Sequence, residues 1–141
     1  MNKKQIVVKG KRKTSIARGV VKGGKGEVTI NKSPYENLSE FKRLIVEEPI
    51  NIAKETIGDL KVDIDIKVEG GGQESQIEAC RLVIAKALVE AAKDKSLKKG
   101  ETLKKALLLY DRNLLVADTR RKEPYKPGDS KARRKRQKSY R

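Results

Sequence analysis

From Leu60 to Glu69 apolar and charged side chains alternate without a break. Leu60, Val62, Ile64, Ile66 and Val68 stand against Lys61, Asp63, Asp65, Lys67 and Glu69. A period of two marks a strand with one face buried and the other in water. Gly70-Gly71-Gly72 follows, and then the period changes. Ile77, Cys80, Ile84, Ala87, Leu88 and Ala91 recur three or four residues apart, which predicts an apolar stripe on a helix over 73–93. A half-buried strand turning directly into a long amphipathic helix leaves few solutions. The helix must lie on the apolar face of a sheet.

The rest of the chain fills in that sheet. Gln5 to Val8 reads as a first strand, Lys9 to Thr14 (KGKRKT) as a basic turn, and Ser15 to Lys22 as a second strand. Gly23 to Gly26 is a turn into a third strand, Glu27 to Ile30, so the whole predicts an antiparallel hairpin or meander. From Ser39, a candidate N-cap, Phe41, Leu44, Ile45 and Ile52 give a helical pattern, and Pro49 is expected to divide it into two short helices. Gly100 precedes a last helix, Thr102 to about Tyr110, carrying Leu103, Ala106, Leu107 and Tyr110. The expected fold class is α+β, with one mostly antiparallel sheet and helices on one face.

Charge divides the chain differently. Residues 1–33 hold ten Lys/Arg and one acid, residues 34–118 fourteen and sixteen, and residues 119–141 eleven and two. The net charge of +16 therefore sits at the ends, around a near-neutral middle. The expected organisation is a domain over 1–118 and an extended basic tail over 119–141. In the tail Pro124, Pro127 and Gly128 oppose helix, and mutual repulsion opposes packing in the absence of a partner. Packed like charges destabilise a compact state unless a polyanion neutralises them. Solubility alone would be served better by acids. A phosphate-rich partner is the expectation.

The inventory argues against most catalysis. There is no His and only one Cys, Cys80. The commonest general base, the usual metal ligand and a Cys-cluster zinc site are thus missing, and no metal or cofactor is expected. A chain without a disulfide suits a reducing cytoplasm. Only Ile6-Val7-Val8 follows the basic start, short of a signal peptide, and no run approaches a membrane span.

Two glycine loops resemble phosphate loops. Gly19 to Gly26 nearly spells a P-loop, but Gly26 stands where a magnesium-binding hydroxyl belongs, and a strand rather than a helix follows. It reads as a hairpin turn. Gly70 to Ser75 approximates a dinucleotide fingerprint in the right strand-to-helix context, yet the chain is too short for two mononucleotide halves. A tight turn with close strand–helix packing, an amide contact to an RNA phosphate and a nucleotide site all remain open there. Asp63, Asp65 and Glu69 share a strand face without a nucleophile, and read as solvated. Cys80 reads as a small buried hydrophobe, and Arg81 as a stem over the core with its guanidinium reaching out.

The cations are more specific. Lys9, Lys11, Arg12, Lys13 and Arg18, with the hydroxyls of Thr14 and Ser15, form a basic patch fit for phosphate. Lys131, Arg133, Arg134, Lys135, Arg136 and Lys138 do the same at the other end, where Tyr140 adds a π-face.

These motifs together resemble the universal small-subunit ribosomal protein S-nine family. GKRKTSIARG, Gly10 to Gly19, resembles its opening signature, and KARRKRQKSYR, Lys131 to Arg141, its closing one. Gly70 to Gly72 through Ser75, Gln76, Ala79, Arg81, Ala85, Lys86, Ala87 and Leu88 resembles the central one. Tyr110-Asp111-Arg112, Leu114 to Asp118 and the final Gln-Lys-Ser-Tyr-Arg look like the archaeal and eukaryotic branch. Val83 departs from the family, which usually has a small residue there, and so do Thr119 and Tyr125. The resemblance implies a two-layer fold shared with the second domain of another small-subunit ribosomal protein. It implies a structural, non-enzymatic part of the cytoplasmic ribosome, bound to small-subunit ribosomal RNA in the head, among neighbouring head proteins. Arg81, Arg120 and Arg121 would join the RNA-binding set. The tail would reach peptidyl-site transfer RNA through Lys138, Tyr140 and Arg141.

Overall fold

The computed structural model describes residues 5–125, 132 and 139–141. Five strands form one sheet: β1 (Ile6–Arg12), β2 (Ser15–Gly23), β3 (Val28–Ile30), β4 (Ser33–Pro34) and β5 (Val62–Glu69). Their spatial order is β1-β2-β5-β3-β4, and every pairing is antiparallel except β3 with β5. Three helices, α1 (Glu40–Ile57), α2 (Gln73–Lys95) and α3 (Leu97–Tyr110), cover one face. The expected α+β class, with a sheet layer and a helix layer, is what forms.

The alternation at 60–69 does what the pattern predicts. Val62, Ile64, Ile66 and Val68 are buried against the helices. Asp63, Asp65, Lys67 and Glu69 face the other way. α2 carries more than one stripe: Ala79, Leu82, Val83, Ala85, Val89 and Ala92 are buried as well. It lies directly on β1, β2 and β5 and is covered by α1 and α3. A helix enclosed on most sides must be apolar on most sides. Val83 fits because the facing strands offer glycine. A Cβ on Gly19 would stand 2.5 Å from Val83 Cγ1, and one on Gly10 would stand 2.8 Å from Val83 Cγ2. The bulk missing from the strands is supplied by the helix.

Five sequence expectations are corrected. Gly23 to Gly26 does not close a hairpin, because β5 lies between β2 and β3, antiparallel to the first and parallel to the second. Pro49 does not divide α1, which runs unbroken for 18 residues. Proline inside a helix costs about 3 kcal/mol, and here its ring is among the most completely buried side chains, which offsets part of that. Gly100 lies within α3 rather than before it. A Cβ there would be 2.9 Å from the backbone nitrogen of Lys93, so glycine permits the close crossing on α2. The basic turn is only Lys13-Thr14, because β1 continues to Arg12 in register with Ser15. Finally, Phe41 and Leu44 point outward, while Val46, Pro49 and Ala53 supply the buried face of α1.

Candidate nucleic-acid interface

Extending β1 through the basic run sorts its cations by parity. Lys9 and Lys11 are exposed on the helix-free face of the sheet, and Arg12 falls on the other side. Lys9 is the register partner of Arg18, and Arg18 of Lys67. Three strands thus place three exposed cations in one row. Lys67 also pairs with Glu69 at 2.7 Å. Lys9, Lys11, Lys13 and Arg18 form no ion pair among the described residues. Lys13 and Thr14 stand exposed at the hairpin tip, with Lys13 at a φ of 50°. The sequence did not single out Lys67, which only the strand register brings into this row.

Arg12 and Arg81 are spoken for. Arg12 pairs with Glu78 on α2 and with Asp118. Asp118 also accepts from the Arg120 backbone N–H at 2.9 Å and lies 3.1 Å from the Arg120 guanidinium. Its carboxyl is held far below the usual carboxylate range, first by that N–H, then by the Arg120 side chain, then by Arg12. Arg81 bonds Glu48 on α1 at 2.6 Å and Asp111, just past α3, at 3.2 Å. A polar cleft of about 140 Å³ lies between these groups, with Lys11 and Asn113 on its rim. The end of the first hairpin and the root of the basic tail are therefore fastened to one carboxylate. Asp118 was missed at the sequence level because nothing beside it in the chain points to Arg12.

Both glycine loops are filled from within. The backbone N–H groups of Lys25, Gly26 and Glu27 all donate to Asp63 Oδ1, at 2.8, 2.9 and 3.0 Å. A carboxylate of the chain itself occupies the place a phosphate would take. At the second loop Ser15 Oγ donates to Gly70 O at 2.9 Å and lies 2.8 Å from Ser75 Oγ. Ser75 Oγ in turn accepts from the Gly72 N–H at 3.1 Å. The tight turn with close strand–helix packing is present here. Asp65 is held by Lys22 at 2.6 Å and Thr29 at 2.8 Å. The strand acids are structural acceptors rather than merely solvated.

Cys80 is fully buried on α2, and burial pushes its thiol up to about 12. Among the described residues no group of three or more His, Cys, Asp or Glu is placed to hold a metal ion, and no helix is long and apolar enough to cross a membrane. Arg120 and Arg121 are exposed in a stretch without regular structure. Tyr140 and Arg141 are exposed too. Lys131, Arg133, Arg134, Lys135, Arg136 and Lys138 lie outside the described residues.

The sequence model of the family described as ribosomal protein S9/S16 matches residues 10–141. Two relatives from Methanococcus maripaludis, strains C5 and C7, each named small ribosomal subunit protein uS9, are 45% and 44% identical to this chain over 135 residues. The match covers 94% of this chain and 95% of each relative.

Proposed function

The chain belongs to the ribosomal protein S9/S16 family, in its archaeal-type branch, and from that premise we propose that its basic ends hold it to the RNA of the small-subunit head while its last residues reach peptidyl-site transfer RNA. Its role in the small subunit and in translation is structural, and it is not an enzyme. Its partners are ribosomal RNA and ribosomal proteins, and its place is the cytoplasmic ribosome.

The observation that best supports the two-ended reading is the Asp118 junction. Arg12 and Arg120 converge on one carboxylate, so two cationic blocks far apart in sequence start from one corner of the domain. Residues 1–118 form the globular unit, and residues 119–141 leave it from that corner as the binding tail. Lys9, Lys11, Lys13, Thr14 and Arg18 make the phosphate contacts of the domain. Arg12 and Arg81, already engaged with carboxylates, add what their partly exposed guanidinium groups present, and chiefly fix the shape around them. Arg120, Arg121, Lys131, Arg133, Arg134, Lys135, Arg136 and Lys138 continue the track.

Ordering a tail costs about 1–2 kcal/mol of backbone entropy per residue, which the density of charge-assisted contacts must offset. If about eight phosphates are neutralised, RNA affinity falls by roughly 10³–10⁵ between 50 and 200 mM salt. Sedimentation of tagged protein through a sucrose gradient tests the assignment, and a stoichiometric peak with the small subunit is expected. Removing Arg141 should then weaken transfer RNA binding in the peptidyl site. An unchanged affinity would overturn the role given to the tail's end.

A further inference from the structure

The row of cations on the open sheet face does not stop at the edge of the sheet. β1 is an edge strand, with β2 as its one neighbour among the described strands. Beyond it, walled by β1, α2 and α3, lies a groove of about 380 Å³. Its charged lining is Lys9 on β1, Lys86, Glu90 and Lys93 on α2, and Lys104 on α3. Four lysines thus face one acid, and that acid is engaged, since Lys93 reaches Glu90 at 2.7 Å. Lys86 and Lys104 form no ion pair among the described residues. Lys86 donates instead to the backbone carbonyl of Lys9 at 3.3 Å. The surroundings do not cancel this charge, because α3 carries Lys98, Lys99 and Lys105 besides Lys104, against Glu101 alone. The near-neutral middle of the chain conceals it, since six of its acids gather elsewhere, in residues 35–60.

Lys9 belongs to both surfaces. By register it stands beside Arg18, and Arg18 beside Lys67, and it also borders the groove. We propose that the groove is a second RNA site. A phosphate backbone crosses the open face from Lys67 by way of Arg18 and Lys9, turns over the β1 edge, and runs on past Lys86 and Lys104. The proposal rests on the ribosomal reading above and extends it from the hairpin to the helix layer. Lysine suits the role, because a backbone of phosphates is held by point charges along its path, without the fixed fork of arginine. A peptide fits less well. An edge strand captures a peptide by pairing with its outward backbone groups, and Lys86 already takes the Lys9 carbonyl.

Lys104→Gln and Lys86→Gln test this in the full chain bound to small-subunit ribosomal RNA. Lys104 is exposed, and glutamine at position 86 keeps a donor for the Lys9 carbonyl, so both variants leave the fold in place. Each should lower the slope of log affinity against log salt by about 0.7–0.9, uniformly across RNA sequences. Lys54→Gln removes the same charge from an exposed position on α1 and should leave the slope unchanged. In assembled small subunits, a photoreactive diazirine amino acid in place of Glu90 sacrifices only a surface ion pair. It should form its adduct with ribosomal RNA. Unchanged slopes in both lysine variants, an equal change from Lys54→Gln, or an adduct to protein in place of RNA overturns the proposal. A natural chain that neither binds this RNA nor enters the small subunit would instead sink the ribosomal reading, so the two failures are distinguishable.

Discussion

The turn at Gly23 to Gly26 and the turn at Gly70 to Gly72 look alike in sequence and are built on opposite plans. Each is glycine-rich and follows a strand, and each suggests a phosphate loop. The first is closed by a charge, since Asp63 accepts three backbone N–H groups from the loop. The second is closed by two hydroxyls, Ser15 and Ser75, set between the hairpin and the first turn of α2. The charged closure lies at the exposed rim of the sheet, where water supports a carboxylate. The hydroxyl closure is buried, where an ion would be costly and a neutral hydrogen-bonded pair is not. Glycine marks close approach in both, but the approaching group comes from the chain itself.

The sharpest way to break this comparison is to add one methyl group to the turn that lies over the buried serine pair. Gly71 has a φ of 66°, which disfavours any residue with a Cβ, and that Cβ would stand 2.1 Å from Ser15 Oγ. Gly71→Ala should destabilise the domain by about 2–4 kcal/mol in urea unfolding, from backbone strain together with overpacking. A loss below half that would mean the serine pair is not packed as described.

Next in size is Ser15→Ala. It removes the donor to Gly70 O and strips one partner from Ser75 Oγ at a fully buried position. Ser75 Oγ keeps its bonds to Gly72 and Gly70 O keeps the Gln76 side-chain amide, so the loss is that of intramolecular hydrogen bonds, about 0.5–1.5 kcal/mol. Thermal unfolding would show it, and a neutral outcome would mean that the bonds of Ser15 Oγ add no net stability.

A smaller effect distinguishes the loops by ligand. Asp63→Ala frees the N–H groups of Lys25, Gly26 and Glu27 together, a concave set of donors that suits an anion. Inorganic phosphate should then shift those three amide signals in an NMR titration, while the natural protein shows no such shift. If the natural protein responds equally, Asp63 does not fill the loop.

How much of this was legible in the sequence depends on how far apart the partners lie. The alternation at 60–69 and the stripe on α2 are local patterns, and both elements formed where they predict. The missing hydroxyl at Gly26 and the strand after it correctly argued against a P-loop. What fills the loop was not legible, because Asp63 reaches it only through the β2–β5 register, in which Lys22 faces Asp63. Pro49 and Gly100 misled for a related reason. Local propensity marks each as a breaker, but a buried ring and a close helix crossing are tertiary facts that override it. For the interface, the free cations of the hairpin could be read from composition. The engagement of Arg12 and Arg81 with carboxylates could not, since parity along β1 and the packing of α1, α2 and α3 decide it.

The smallest expected effect separates the two turns by pH alone. Asp63 is held below the ordinary carboxylate range, first by the N–H of Glu27, then by that of Gly26, with burial opposing and Lys25 adding. Its folded value lies below its unfolded one, near 3.9. As pH falls through that window the unfolded chain takes up the proton first, so folding stability declines with falling pH. The contribution is complete above the unfolded value and lost once pH passes below the folded one. Asp65, Glu69 and Asp118 are shifted the same way, so the natural protein's acid sensitivity is shared among them. The informative quantity is the stability difference between natural protein and Asp63→Asn, followed by urea unfolding. It should shrink as pH drops below about 4. The Ser15→Ala difference should stay flat over the same range, because neither hydroxyl titrates. Parallel curves for the two variants would erase the distinction between a turn closed by charge and a turn closed by neutral hydrogen bonds.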